Sequence, residues 1–180
     1  MDEQLARARA GNLVAFGALV KAHKRSVYSL ALRMLGQPDL AEDLAQEVFM
    51  QLYANLQSIK SSQHLEFWLR RVTTHRAIDC LRQRPPVPIT SLDQEAEVAG
   101  SANSEDPLLQ RQLLRLVLEL SPDARAVVTL RYQEDLDPVD IARTLDMSIN
   151  TVKSHLKRSL DLMRQKILSC EQPSRESQSP

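Results

Sequence analysis

Two cysteines in 180 residues, Cys80 and Cys170, stand far apart and without Cys-x-x-Cys spacing, which excludes a disulfide framework and a structural zinc site alike. No run of about 18 apolar residues occurs, which excludes a membrane-spanning helix. The opening stretch "MDEQLARARAGN" is charged and has no apolar core of the secretory kind, which predicts residence in the cytoplasm. Glycine is scarce at 4 residues, aromatics make up 4%, and β-branched runs are missing, which leaves little material for strands. Also missing are an activated nucleophile, a carboxylate pair, a phosphate loop and a metal-ligand cluster, so neither an enzyme nor a bound cofactor or metal is expected. His23 and His64 have no partner spacing and are expected at the surface. What dominates instead is Leu, Ala, Arg, Glu and Gln, the good helix formers. The prediction is an all-α protein.

The 23 basic and 23 acidic side chains cancel, but the total hides their distribution. Residues 1–84 carry 12 basic and 8 acidic groups, residues 85–106 carry none and 5, and residues 107–180 carry 11 and 10. The middle segment, "PPVPITSLDQEAEVAGSANSED", has three prolines, a Gly-Ser pair and no apolar period, which predicts a flexible acidic linker. Such a linker is either simply solvated or a competitor with a polyanion for a basic face. Two small helical domains, 1–84 and 107–170, are expected on either side. The polar 171–180 tail, rich in Pro and Ser, reads as disordered.

In the second domain, Leu109, Leu113, Leu116, Val117 and Leu120 have the spacing of a one-sided helix. Ser121 before Pro122 predicts a cap and first turn, and Asp137–Pro138 with Asp140 predicts another, opening a short helix with Ile141, Ala142 and Leu145 buried. After the turn "DMS", Ser148 is placed to cap a last helix whose expected apolar seam is Val152, Leu156, Leu160, Met163 and Ile167. Two helices across so short a turn form a helix-turn-helix, in which the second helix enters the major groove. Outside its seam that helix offers Asn150, Thr151, Lys153, Ser154, His155, Lys157 and Arg158, the groups that bond base edges and phosphates. Residues 149–168 hold five basic groups and one acidic, whereas 131–148 hold two and five. One side of the module therefore suits a polyanion and the other repels it. The turn position that ordinarily takes glycine is Asp146, at a cost on the order of 1 kcal/mol in left-handed backbone.

In the first domain, Leu13 to Val20 and Val27 to Leu35 supply apolar faces for two successive helix segments. Asp39, after Pro38, is expected to cap a helix over Leu40–Leu56 with Leu44, Val48 and Leu52 inward and Glu42, Asp43, Gln46 and Glu47 outward. Residues 39–51 hold four acids and no base, so this face is not one for DNA. A further helix follows in "EFWLRRVTTHRAIDCLRQR", with Phe67, Leu69, Val72, Ile78 and Leu81 apolar and five arginines among residues 66–84.

The blocks "GNLVAFGALV", "DLAEDLAQEVFMQLY", "WLRRVTTHRAIDCLR" and "LSPDARAVVTLRYQEDLDPVDIARTLDMSINTVKSHLKR" resemble, in this order, the extracytoplasmic-function sigma factors of the sigma-70 family, over roughly residues 4 to 168. The resemblance implies a promoter-specificity subunit of bacterial RNA polymerase that helps melt the minus-ten element, serving a stress or envelope-response regulon. It places core-polymerase contacts at Asp43, Gln46, Glu47 and Phe49 and minus-ten contacts at Arg70, Arg71, Thr74, His75, Arg76 and Arg82. The helix from Asn150 to Arg158 becomes the reader of the minus-35 element. An anti-sigma factor is implied as a further partner. Members of the family commonly carry Asn where His75 stands, so different contacts are expected there. Phe67 and Trp68 stand beside the melting site, although aromatics at helical spacing more often belong to the core. Two other readings stay open: a stand-alone helix-turn-helix regulator of the two-component output type, since "SINTVKSHLKR" is similar to its recognition helix, and a helical adaptor that binds only protein.

Overall fold

Capping chemistry sets most of the element boundaries. The computed structural model describes residues 1–83 and 107–170. They form α1 (Asp2–Arg9), α2 (Leu13–Leu35), α3 (Pro38–Asn55), a 3-10 turn (Leu56–Ser58), α4 (Ser62–Gln83), α5 (Pro107–Leu118), α6 (Pro122–Tyr132), α7 (Pro138–Leu145) and α8 (Ile149–Cys170). No strand occurs among the described residues, and no helix is long and apolar enough to cross a membrane. The expected linker 85–106 and tail 171–180 lie outside the described residues.

The Asn12 carboxamide accepts the Ala15 N–H at 2.9 Å to start α2, and Gly36 ends it at φ 71, donating its N–H to the Leu32 carbonyl at 2.7 Å. The helix is continuous, where the sequence predicts two segments. Its charged middle, "KAHKRS", conceals the join: His23 lies four residues from both Leu19 and Val27 and completes the same face. His23 is therefore half-buried rather than a surface residue, and its Nε2 is buried without a partner. Burial lowers its pKa, with Glu66 acting the other way. His64, also expected at the surface, is half-buried, and its Nδ1 accepts the Lys60 N–H at 3.1 Å.

Pro38 occupies the first position of α3, so the cap is the extended Gln37, and Asp39 lies in the first turn instead of capping. Ser121 holds its expected position before α6, but its hydroxyl makes no capping bond; its carbonyl accepts the Arg125 N–H at 2.8 Å. Asp137 caps α7 as predicted, accepting from Val139 and Asp140 N–H at 2.8 Å each. The expected seam of α8 fails at one residue: Leu160 is 41% exposed while Ser159 is 3% exposed. At about 100° per residue, position 159 returns to within roughly 20° of Val152, whereas position 160 lies about 80° away.

The first four helices bury Leu19, Met34, Val48, Leu52, Ile59 and Leu65 completely. The core continues into the second module through Val127, Leu130, Ile141 and Val152. Helix α6 packs on α2 and α4, α7 packs on α4, and α5 touches α2. A Cβ at Gly36 would lie 3.0 Å from the Leu118 side chain, so glycine serves both the turn and the approach of α5. Arg125 pins the junction from within. Its guanidinium donates to the carbonyls of Met34 at 2.7 Å, of Leu118, and of Leu120 at 3.3 Å. Two of these acceptors end α2 and α5, where the helix dipoles favour a cation. Burial still lowers the Arg125 pKa, to about 10, and it is charged at neutral pH.

Candidate nucleic-acid interface

The helix-turn-helix consists of α7 and α8. Its turn passes through Asp146 at φ 54 and ψ 38, the left-handed conformation expected there, and the Met147 N–H closes on the Ala142 carbonyl at 3.0 Å. Ser148 then caps α8, its Oγ accepting the Thr151 N–H at 3.1 Å. Val152 is fully buried and Leu156 packs beside it, which turns the opposite side of the helix outward. Asn150, Thr151, Lys153, Ser154, Lys157 and Arg158 are exposed, and His155 is half-buried. Two hydroxyls have internal partners: Thr151 Oγ1 lies 2.8 Å from Ser148 Oγ, and Ser154 donates to the Asn150 carbonyl at 2.8 Å. No ion pair among the described residues engages Lys153, Lys157 or Arg158. The result is one exposed, cationic helical face on a rigid seam, the arrangement that major-groove recognition needs.

Helix α4 carries the second basic set, and its residues divide. Arg76 and Arg82 are exposed, while Arg70, Arg71 and His75 are partly covered. Thr74 does not reach this face: it is fully buried and donates its hydroxyl to the Arg70 carbonyl at 2.8 Å. The helical back-bond satisfies a buried hydroxyl, and the helical period turns it inward. His75 Nδ1 lies 2.9 Å from the Arg71 carbonyl. Trp68 packs against the core and Phe67 is half-buried. The covering groups are carboxylates of the second module. Arg71 meets both oxygens of Asp146, at 3.0 and 2.5 Å, and Arg82 meets both oxygens of Asp123, at 2.8 and 3.0 Å.

In the first module, α2 and α3 enclose an open, mostly apolar groove of about 870 Å³. Phe16, Val20, Tyr28, Phe49, Met50 and Tyr53 line it, with Glu42, Gln46 and Lys24 among its polar groups. Phe16 and Tyr53 meet edge to face at 5.1 Å. Asp43, Gln46 and Glu47 are exposed, whereas Phe49 is 9% exposed and belongs to the groove wall. Met50 is 73% and Tyr53 55% exposed, so an apolar surface adjoins the acidic one. The described residues contain no group of His, Cys, Asp and Glu side chains placed to hold a metal ion.

The Sigma-70 region 2 family model matches residues 19–85 and the Sigma-70 region 4 model matches residues 110–163. The ECF RNA polymerase sigma factor SigW of Bacillus subtilis is 28% identical over 184 residues, covering 93% of this chain and 96% of the relative. The chain belongs to the extracytoplasmic-function sigma factors of the sigma-70 family. The ECF RNA polymerase sigma factor SigE of Mycolicibacterium smegmatis is 33% identical over 81% of this chain and 59% of the relative. The solved structure of CnrH in complex with the cytosolic domain of CnrY has a similar fold, with a TM-score of 0.65 and 21% identity over 94% of this chain and 97% of that one. A sigma factor directs RNA polymerase in transcription initiation, which displaces the two-component and adaptor readings.

Sequence reasoning about this sigma factor finds the turn after α7 and the Ser148 cap of α8, since caps and turns are local. It misses Phe16, Met50 and Tyr53 as groove residues, although an apolar residue at position 50 on an otherwise acidic face is a signal. It also misses Asp123, Glu134 and Asp146 as partners of α4, for which no local pattern exists.

Proposed function

We propose that the protein acts in the cytoplasm as the promoter-specificity subunit of RNA polymerase, without catalytic activity of its own, and that its three surfaces divide the work. Residues 1–84 dock on core polymerase and hold unpaired minus-ten DNA, and residues 107–170 grip duplex minus-35 DNA. The observation that carries this reading is the exposed cationic face of α8, with Lys153, Lys157 and Arg158 making no ion pair with other described residues, on a helix-turn-helix. Phosphate pairing there gives affinity, and Asn150, Thr151, Ser154 and His155 supply base-edge donors and acceptors.

The α3 face fits core docking for a different reason. Glu42 and Gln46 line the apolar groove while Asp43 and Glu47 are exposed on the same helix, so a partner with basic and apolar side chains on one helix would meet both. DNA is repelled from the same face. On α4, Arg70, Arg71, Arg76 and Arg82, with His75, supply the cations for the minus-ten strand; exposing its bases costs a few kcal/mol, which stacking and phosphate contacts must offset. One structural neighbour is the sigma factor RpoE of Bartonella quintana in complex with the anti-sigma factor NepR, and another is CnrH in complex with the cytosolic domain of CnrY; a partner of the first kind, together with a stress or envelope-response regulon, is the regulatory setting proposed here.

A gel shift with and without core polymerase tests the reading. Retardation of a cognate promoter fragment only when core is present is expected. Retardation by the protein alone with equal affinity, or none in either case, would overturn it.

A further inference from the structure

Three of the four α4 arginines, Arg70, Arg71 and Arg82, together with His75, already face carboxylates, and all of these come from the second module. Arg71 binds both carboxylate oxygens of Asp146 and also donates to the Arg143 carbonyl at 3.1 Å. His75 Nε2 lies 3.7 Å from Asp146 Oδ2. Arg70 Nε lies 3.4 Å from Glu134, which also faces Arg33 of α2 at 3.9 Å. Arg82 binds Asp123. Arg71 and Arg82 are eleven residues apart, about 16 Å along the helix, and the carboxylates that meet them stand on different elements, the first turn of α6 and the turn after α7. Matching at both ends fixes the register of one module on the other.

Asp146 gives this pairing a second support. Its backbone is left-handed at φ 54, a conformation that glycine adopts freely and other residues adopt at a cost. Glycine would make the same turn but leave Arg71 without a counter-ion.

We propose that the free chain covers its own minus-ten face: Asp146, Glu134 and Asp123 stand where strand phosphates would bind, so the acidic side of the helix-turn-helix module and minus-ten DNA exclude one another. This rests on reading α4 as the minus-ten face. The face of α8 that carries Lys153, Lys157 and Arg158 stays exposed in the closed form. Arg125, bridging Met34 to Leu118 and Leu120 inside the junction, is the apolar-side pin of the same closure.

The test uses the full chain. Small-angle scattering reads the dimensions of the free protein, and fluorescence anisotropy reads binding of a single-stranded minus-ten oligonucleotide without core polymerase. The variant D146N/E134Q/D123N removes the three carboxylates; the control D135N/D161N/E119Q removes equal charge elsewhere on the second module. The first variant is expected to be more extended than the wild type and to bind the oligonucleotide about tenfold more tightly, since affinity scales with the open fraction. The control should stay compact and gain much less. D146N alone, which keeps a residue tolerant of the left-handed turn, should move both readouts in the same direction. Equal dimensions for wild type and variant overturn the proposal, and so does an opened variant whose gain in affinity only equals the control's. R76A distinguishes the underlying reading: if it leaves oligonucleotide affinity unchanged in the opened variant, α4 is not the minus-ten face, whatever the scattering shows.

Discussion

Replacing Arg125 by Met removes the guanidinium while keeping most of the apolar stem. Three carbonyls lose a donor: Met34 and Leu118, at or near the ends of α2 and α5, and Leu120 in the following loop. Helix-terminal carbonyls have no intrahelical partner to fall back on. Arg125 is 8% exposed, so water does not replace the lost bonds freely. Each unsatisfied buried acceptor costs about 1–3 kcal/mol. Relief from burying a charge, which already lowers the Arg125 pKa to about 10, offsets part of this. A net loss of about 3 kcal/mol follows, equivalent to a fall in Tm of roughly 6–12 °C for a chain of this size. Thermal unfolding by circular dichroism, with urea titration beside it, reads the loss directly. R125K, which keeps charge but reaches fewer carbonyls, should fall between wild type and R125M. If R125M melts within about 1 °C of wild type, desolvation cancels the hydrogen bonds and Arg125 is no pin.

H23Q tests the buried imidazole of α2. Burial holds the His23 pKa below its ordinary 6.5; above 6.5 both folded and unfolded forms are neutral, and below it the unfolded chain takes up the proton first. Stability therefore falls as the pH drops through this range, and H23Q should flatten the decline of Tm between about pH 7 and 5; an unchanged slope would assign the decline to other groups. G36A forces a side chain into φ 71 and to 3.0 Å from Leu118, and should lower stability by about 1–2 kcal/mol in urea titration. R158A should reduce promoter-dependent transcription by the equivalent of about 1–3 kcal/mol if the side chain reads a base, or by a salt-dependent, sequence-independent amount if it meets phosphate. Unchanged transcription at every salt concentration removes Arg158 from the interface. E47K should weaken binding to core polymerase in a pull-down titration with no change in Tm, and normal core affinity would refute the α3 docking face.

What was legible in the sequence follows the range of the interactions. Asp137 and Ser148 reveal their caps because donor and acceptor lie within three residues. The left-handed turn at Asp146 is equally local. The continuity of α2 is obscured because a half-buried His23 among lysines and an arginine looks like a break, and the seam of α8 drifts off Leu160 because steps of four overshoot the helical period. The α4 arginines were recognisable as a basic helix face, yet their partners lie 41 to 75 residues away. No periodicity or capping rule connects Arg71 to Asp146 or Arg82 to Asp123. The sequence does suggest competition between acid and DNA for a basic face, but assigns it to residues 85–106; among the described residues it is the second module's own carboxylates that occupy the arginines.

Stability alone does not explain an aspartate at position 146. Left-handed backbone costs a non-glycine residue about 1–2 kcal/mol, with Asp at the lower end because its side chain bonds locally. The pair with Arg71 joins side chains that are 37% and 60% exposed, and exposed pairs return about 0.2–1 kcal/mol. The two nearly cancel, so glycine would build the same turn at no loss. What the carboxylate adds is a weak contact at a particular place. Three such pairs on α4 contribute about 0.6–3 kcal/mol in total toward the covered form, roughly a three- to 150-fold preference. Promoter contacts are worth several kcal/mol beyond non-specific binding, and on the proposed reading of α4 strand phosphates would compete for the same guanidinium groups. If the proposal holds, the pairs would add to the shared core and to Arg125 in suppressing stray binding by the free protein, and the cover would yield once α8 and core polymerase hold the promoter in place.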